Sequence, residues 1–421
     1  MSRLNAQQQR LSQWFERLAD GQHTNLLEAI EVLSDDLPWL RRLADTPQDP
    51  QWHAEGNVFI HTQMVLDELY KILPTKAFTR EETLLLVLAV ILHDIAKPEA
   101  TRNKEINGID RVVASGHEEL GMAYLAPRVA HWPLPHRVKK HLLGLVGAHQ
   151  KPKLLVVKDC ARHDYFNLAR QAPLHLFYYL ELADMRGRIC DDLSAQVELL
   201  ELFKLYAKDF GFWRSDVEDV WLKQAEQALP MHNDKAKNYL SQHSLLCFSQ
   251  GKISQAEEGI AMGFGQRDSH GHLEILVGIS GSGKSSWISK HRADCQAISL
   301  DELRQEINGD RQDQSNFGSI IREAKKRLKA ALANGQHVIW DATSLRLDFR
   351  TPLVDIALAY KAKVSLICFW VPLQQLQQQN ASRQYSVPNE VLQKQLYSWQ
   401  WPLPSEAHEL IYVDGDGETL P

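Results

Sequence analysis

Two groups of residues in this 421-residue sequence have types and spacings suited to phosphate chemistry. The first is Gly278-Ile279-Ser280-Gly281-Ser282-Gly283-Lys284-Ser285, which fits G-x-x-x-x-G-K-[ST]. Its glycines permit positive φ, so successive N–H groups converge on phosphate oxygens. The helix expected next adds its N-terminal dipole. Lys284 neutralises the β- and γ-phosphates of ATP, and Ser285 binds Mg²⁺. The expected nucleotide-binding residues are Gly278, Ser280, Gly281, Ser282, Gly283, Lys284, Ser285 and Ser286, with Asp341 from further along the chain.

A phosphate-binding loop alone does not separate a switch ATPase from a kinase. Ser299-Leu300-Asp301-Glu302-Leu303-Arg304 follows an apolar run. In an open parallel sheet the strand C-termini face the ligand. Asp301 there can take the proton of an acceptor hydroxyl, and Arg304 can contact an acceptor phosphate. The bland alternative is a helix cap with a solvated arginine. Asp341 ends another apolar run, in position to orient Mg²⁺ or to pair with Arg304. Arg383, in Asn380-Ala381-Ser382-Arg383, can close over a transferring phosphoryl group.

The second group is a series of histidines and aspartates. His93-Asp94 closes the apolar run Leu84–Leu92, and Lys97 lies one helical turn on. His61 precedes it; His117, His149 and Asp184 follow. A buried His-Asp pair is costly unless something pairs with it. A divalent transition metal (Mn, Co, Ni, Fe or Zn) would satisfy both. It would also lower the pKa of a bound water for phosphoester hydrolysis. Lys97 can hold a substrate phosphate. His163-Asp164 lies in polar surroundings and reads as a solvated helix face. His53 can flank the site, though a loop histidine is the simpler reading, and His141 is an alternative to His149 as a ligand.

The elements that must position these residues change character along the chain. Before residue 270 the apolar spacing is helical and strand-like alternation is scarce. After it, short apolar runs alternate with helical segments: Leu273–Val277, Ala297–Leu300, His337–Trp340, Val364–Trp370 and Leu410–Val413. That order predicts a parallel sheet covered by helices. The expected architecture is an all-α domain over 1–248 with its core at about 50–190, a polar linker over 249–272, and an α/β domain over 273–421.

Composition places limits on this. Hydrophobic residues make up 44% and charged residues 24%, with a net charge of −6, which suits a globular chain. Mild acidity opposes coating of nucleic acid along its length, but not a grip on a strand end. Five scattered cysteines form no C-x-x-C pair, fitting a reducing cytoplasm. The polar N-terminus does not read as a signal peptide, and no apolar run is long enough for a membrane span. The expectation is a cytoplasmic protein without a membrane partner.

The C-terminal motifs resemble the phage-type 5′-OH polynucleotide kinases over about residues 273–414, through Gly278–Ser285, Asp301–Arg304, Asp341 and Asn380–Arg383 followed by Val387-Pro388. The resemblance implies Asp301 as general base, Arg304 as acceptor-phosphate ligand and Arg383 as lid arginine. Gln379 stands where that family often has a second lid arginine. The order H…HD…H…H…D resembles the HD-superfamily phosphohydrolases over about residues 50–190. That likeness implies His61, His93, Asp94 and Asp184 as core metal ligands, with His117 and His149 at a second metal or at substrate phosphate. The two together resemble bacterial end-healing enzymes that join such domains. They imply ATP-dependent phosphorylation of a 5′-OH and removal of 2′,3′-cyclic, 2′- or 3′-phosphate from RNA or DNA ends, with a separate ligase as partner. Other readings are a nucleoside or nucleotide kinase fused to a phosphohydrolase, and an ATP-gated switch.

Overall fold

The computed structural model describes residues 3–229, 233–267, 270–311, 313, 315–383 and 385–420. The chain divides into two compact units, Met1–Ser215 and Asp216–Pro421.

The first unit is helical, built around Arg80–Leu92. That helix starts at a capping box in which Thr79 and Glu82 satisfy each other's backbone N–H. From Leu84 to Leu92 every residue is buried, as in a helix enclosed on all sides. Helices Val58–Ile72, His136–Ala148 and Leu174–Arg186 pack against it. The buried helix delivers His93 and Asp94 at its C-terminal end, where its neighbours carry the other candidate ligands. One feature departs from expectation. Strands β1 (Arg102–Ile106) and β2 (Ile109–Val113) form an antiparallel hairpin between Lys97 and His117. Asn107 and Gly108 turn it with φ of 53° and 76°, the positive values a two-residue hairpin turn requires.

The second unit holds β3 (His272–Val277), β4 (Gln296–Ser299), β5 (His337–Asp341), β6 (Lys363–Phe369) and β7 (Glu409–Val413). They form one sheet, every pairing parallel, in the order β4-β5-β3-β6-β7. Leu273, Ile275, Val338, Trp340 and Val364 bury one face against Phe317–Ala333 and Leu347–Ala359. Strand β4 ends one residue earlier than the apolar run suggests. Ser299 caps the next helix by accepting from Glu302 N, so Leu300 is already helical.

The division between units also differs from expectation. It falls at 215/216, so helices Val217–Gln227 and Asp234–Ser249 belong with the sheet. The stretch expected as a linker carries helix Ala256–Gly263, packed on Asp234–Ser249. At Gly259 an added Cβ would come within 2.6 Å of Ser244 Cα. Small residues here allow close packing rather than flexibility. No helix among the described residues is long and apolar enough to cross a membrane.

Candidate active sites

In the helical unit the structure brings together all six expected metal ligands. His61 sits on Val58–Ile72, His93 and Asp94 at the end of Arg80–Leu92, and His117 opens His117–Val129. His149 ends His136–Ala148, and Asp184 lies on Leu174–Arg186. None is more than 4% exposed. His61 Nε2 is 3.0 Å from Asp184 Oδ1, and His93 Nε2 is 3.2 Å from Asp94 Oδ2. His117 Nε2 is 3.1 Å from Asp94 Oδ1.

The imidazoles are oriented from behind. Nδ1 of His93, His117 and His149 lies 2.8, 2.7 and 2.9 Å from the carbonyls of Val90, Ala114 and Val146. Donation there fixes the tautomer and turns each Nε2 lone pair inward. The Nε2 atoms of His61, His93, His117 and His149, and both Asp94 oxygens, are buried without a well-formed hydrogen bond among the described residues. Leaving so many acceptors unsatisfied is costly. The donors form two overlapping clusters, His61–His93–Asp94 and Asp94–His117–His149, whose ligand atoms lie within 4.8 Å of one another. This set fits divalent cations sharing Asp94.

Burial opposes ionisation of Asp94, but His93 and Lys97 hold its carboxyl well below the usual range. Burial also works against a proton on His93, but Asp94 in turn raises its pKa, so a cation at His93 Nε2 would take the place of a proton. Burial likewise opposes Asp184, and the Arg188 guanidinium overcomes it. Burial, then the nearby His117 and His93, push His149 far down, so it stays a neutral ligand.

Lys97 does not stand open to a phosphate as expected. It is 7% exposed, and its Nζ lies 2.6 Å from Gln48 Oε1 and 2.7 Å from Asp94 Oδ2. His141 joins neither donor cluster, whereas His149 joins the second. His163 and Asp164 lie on a half-exposed helix face, where Asp164 accepts from Ala161 N.

In the second unit, β3 runs into the glycine-rich loop and helix Lys284–His291 follows. Gly281 and Gly283 have φ of 88° and 86°, so the loop takes the curvature that its glycines were expected to provide. At Gly281 an added Cβ would lie 3.1 Å from Asn380 Cβ. Lys284 Nζ folds back to donate to Gly278 O at 2.8 Å and Ile279 O at 3.0 Å. Burial, helped by Arg383 and opposed by Asp341, lowers its pKa to about 8. Ser282 is buried in the loop, while Ser285 and Ser286 are exposed at the start of the helix. Ser280 is clamped instead: its N–H donates to Gln395 Oε1 at 2.9 Å, and Gln395 Nε2 donates to its Oγ at 3.0 Å.

Asp341 ends β5, beside Ser299 at the end of β4. Burial raises its pKa, with Asp301 and Glu302 adding to burial and Lys284 opposing it. Asp341 is thus close to both the loop lysine and the candidate base. Asp301 is 57% exposed at the start of helix Leu300–Asn308. Arg304 pairs with Asp301, not with Asp341 as the sequence allowed. Arg383 is exposed beyond helix Leu373–Ala381, near enough for its charge to act on Lys284.

Residues 273–402 match the AAA domain family. The match, the glycine-rich loop and the all-parallel sheet make the second unit a P-loop α/β domain. Among solved structures, an unliganded sugar kinase from Janibacter is similar at 18% identity over 35% of this chain and 87% of its own, with a TM-score of 0.28. A gluconokinase from Sinorhizobium meliloti is similar at 21% identity over 34% and 82%, with a TM-score of 0.26. No curated protein matches the sequence.

Several positioning residues escaped the sequence reading. Glu55, its side chain 1% exposed, lies 2.8 Å from His53 Nδ1 and 2.9 Å from His61 Nδ1, and accepts from Ile189 N at 3.0 Å. His53 therefore belongs to the support of His61 and is more than a loop histidine. Asn380 is 4% exposed and ties the end of helix Leu373–Ala381 to Val387, donating to Val387 O at 2.8 Å and accepting from Val387 N at 2.9 Å. Gln379 donates to Gly415 O. Arg350, 1% exposed, forks onto Glu406 and donates to the carbonyls of Ser344 and Leu345. It thereby fixes the segment after Asp341, whose Thr343 carbonyl receives Gly278 N–H at 3.0 Å. Glu55 and Arg350 each reach a partner remote in sequence, Ile189 and Glu406, and sit in no short motif. Asn380 and Gln379 lie in or beside the Asn380–Arg383 motif, which did not reveal their bonds to Val387 and Gly415.

Proposed function

We propose that the chain heals nucleic acid ends, RNA first, with an ATP-dependent 5′-OH kinase in one unit and a metal-dependent phosphohydrolase in the other. The observation that carries the kinase half is Asp301 in the first turn of the helix that follows β4, near enough to Asp341 and Lys284 for their charges to act on one another. A carboxylate there accepts the proton of the attacking hydroxyl. Arg304, released from Asp301 by an incoming acceptor, would hold that acceptor's own phosphate as a bidentate fork. A strand end supplies such a phosphate and a bare nucleoside does not. Lys284 would leave the loop carbonyls for the β/γ-phosphates, Ser285 and Asp341 would hold Mg²⁺, and Arg383 would close from the lid.

The hydrolase half rests on the inward-facing Nε2 atoms around Asp94. His61, His93, Asp94 and Asp184 would hold one cation, and Asp94, His117 and His149 a second. Bound metal would supply a nucleophilic hydroxide at neutral pH. The chain's own part is to fix the imidazoles through backbone carbonyls, keep Asp94 ionised and exclude bulk water. A ligase acting on the healed ends is the proposed downstream partner.

The test offers γ-labelled ATP to a 5′-OH oligonucleotide and, separately, to a nucleoside and to gluconate. Transfer to the oligonucleotide alone supports the reading. Transfer to either small molecule in its place contradicts it.

A further inference from the structure

At the N-terminal edge of the sheet, away from the strand ends that carry Asp301 and Asp341, lies a second group of metal-type donors. His272 opens β3, Glu274 lies two residues along the same strand, and His337 opens β5 opposite His272. Their ligand atoms lie within 4.8 Å of one another. The two rings stack at 4.4 Å. We propose that His272, Glu274 and His337 bind a borderline divalent cation, zinc foremost, at a site separate from both candidate active sites.

The hydrogen bonds leave a lone pair free on His272 and allow one on His337. Ser365 Oγ donates to Glu409 Oε2 at 3.1 Å, so its one proton is taken. His272 Nε2, 2.9 Å from that Oγ, must donate to it, and Nδ1 keeps a lone pair. His337 Nδ1 faces Cys295 Sγ at 3.4 Å. His337 Nε2 faces Glu274 Oε2 across 3.5 Å, as a long donor in one tautomer and with its lone pair in the other. That Nε2 is buried without a hydrogen bond among the described residues. A cation between the two atoms selects the tautomer with the proton on Nδ1 and ligates both. Burial also drops the pKa of His272 to about 3, keeping it neutral. Two imidazoles and a carboxylate form a recurrent zinc donor set, with a fourth position open.

Arg292 gives the site a consequence. It donates to both Glu274 oxygens at 2.8 Å and ends the helix that starts at Lys284. A cation on Oε2 competes with Arg292 Nε while Nη2 keeps Oε1. The site therefore bears on the far end of the phosphate-loop helix.

The experiment uses the full chain. Wild type, Asp94→Ala, His337→Ala, and Asp94→Ala combined with His337→Ala are stripped by chelator, reloaded with Zn²⁺ and gel-filtered, and zinc per chain is measured. The Asp94 background removes the helical site, so the outcome does not depend on the hydrolase reading. One zinc retained by Asp94→Ala and lost on adding His337→Ala is the expected result. Equal zinc in those two proteins overturns the proposal. Should Asp94→Ala not fold, wild type must exceed His337→Ala by one zinc, and equality overturns the proposal there too. Unchanged thermal unfolding of metal-free His337→Ala shows that the loss is of a ligand and not of the fold.

Discussion

His117 Nε2 lies 3.1 Å from Asp94 Oδ1, while the other oxygen of the same carboxylate faces His93 and Lys97. One side chain is thus shared by two donor clusters. Asp94→Ala should therefore remove every metal from the helical unit, whereas His117→Ala should remove only the second. Metal analysis after gel filtration reads this directly. Equal loss in both variants would mean a single site.

Glu55 should tune the first position. Its carboxylate lies 2.9 Å from His61 Nδ1, where the other three histidines face a backbone carbonyl. Loss of such outer partners weakens metal binding by about 10–100-fold. Glu55→Gln should show that drop by competition with a coloured chelator, with little change in the circular dichroism spectrum.

Asp301 separates a kinase from a switch. Asp301→Ala should lower kcat for phosphoryl transfer by about 10²–10⁴-fold. Its side chain is 57% exposed, so stability should move by no more than about 0.5 kcal/mol. A variant with full activity would favour the switch.

Arg350 should matter to stability first. It is buried, and Glu406 is its forked partner. Removing one member of a buried pair costs about 3–5 kcal/mol, and Arg350→Ala also frees the carbonyls of Ser344 and Leu345. Urea unfolding of the variant should show that loss.

Glu181 predicts a pH effect. It is fully buried on Leu174–Arg186, and burial lifts its pKa from 4.5 to about 8. Between those values the folded chain keeps a proton that the unfolded chain has released. Stability of the helical unit should then fall as pH rises from about 4.5 to 8. Glu181→Gln, which has no charge to bury, should flatten that slope and unfold at higher temperature at pH 8. Parallel pH curves for the two proteins would contradict this.

Much of this was legible because the chemistry is local in sequence. Gly278–Ser285 forms its own turn, and a buried run such as Leu84–Leu92 places His93 and Asp94 wherever it ends. The hairpin was missed although Asn107-Gly108 is a turn signal, because its strands are short, charged and exposed. The helix Ala256–Gly263 was hidden because glycine and glutamate look like linker until Gly259 is seen against Ser244. Arg304 could not be assigned because Asp301 and Asp341 are both within reach of such a position, and only three-dimensional placement decides between them. The supporting roles of Glu55 and Asn380 were not legible, because spacing does not show that Glu55 reaches Ile189 or that Asn380 folds back on Val387.

The central claim is best tested on one RNA oligonucleotide that carries a 5′-OH and a 2′,3′-cyclic phosphate, incubated with ATP, Mg²⁺ and Mn²⁺ and analysed by mass. The account predicts phosphate gained at the 5′ end and lost from the 3′ end, with Lys284→Ala abolishing only the first change and Asp94→Ala only the second. An RNA recovered unchanged at both ends, from protein that still hydrolyses ATP, would contradict it.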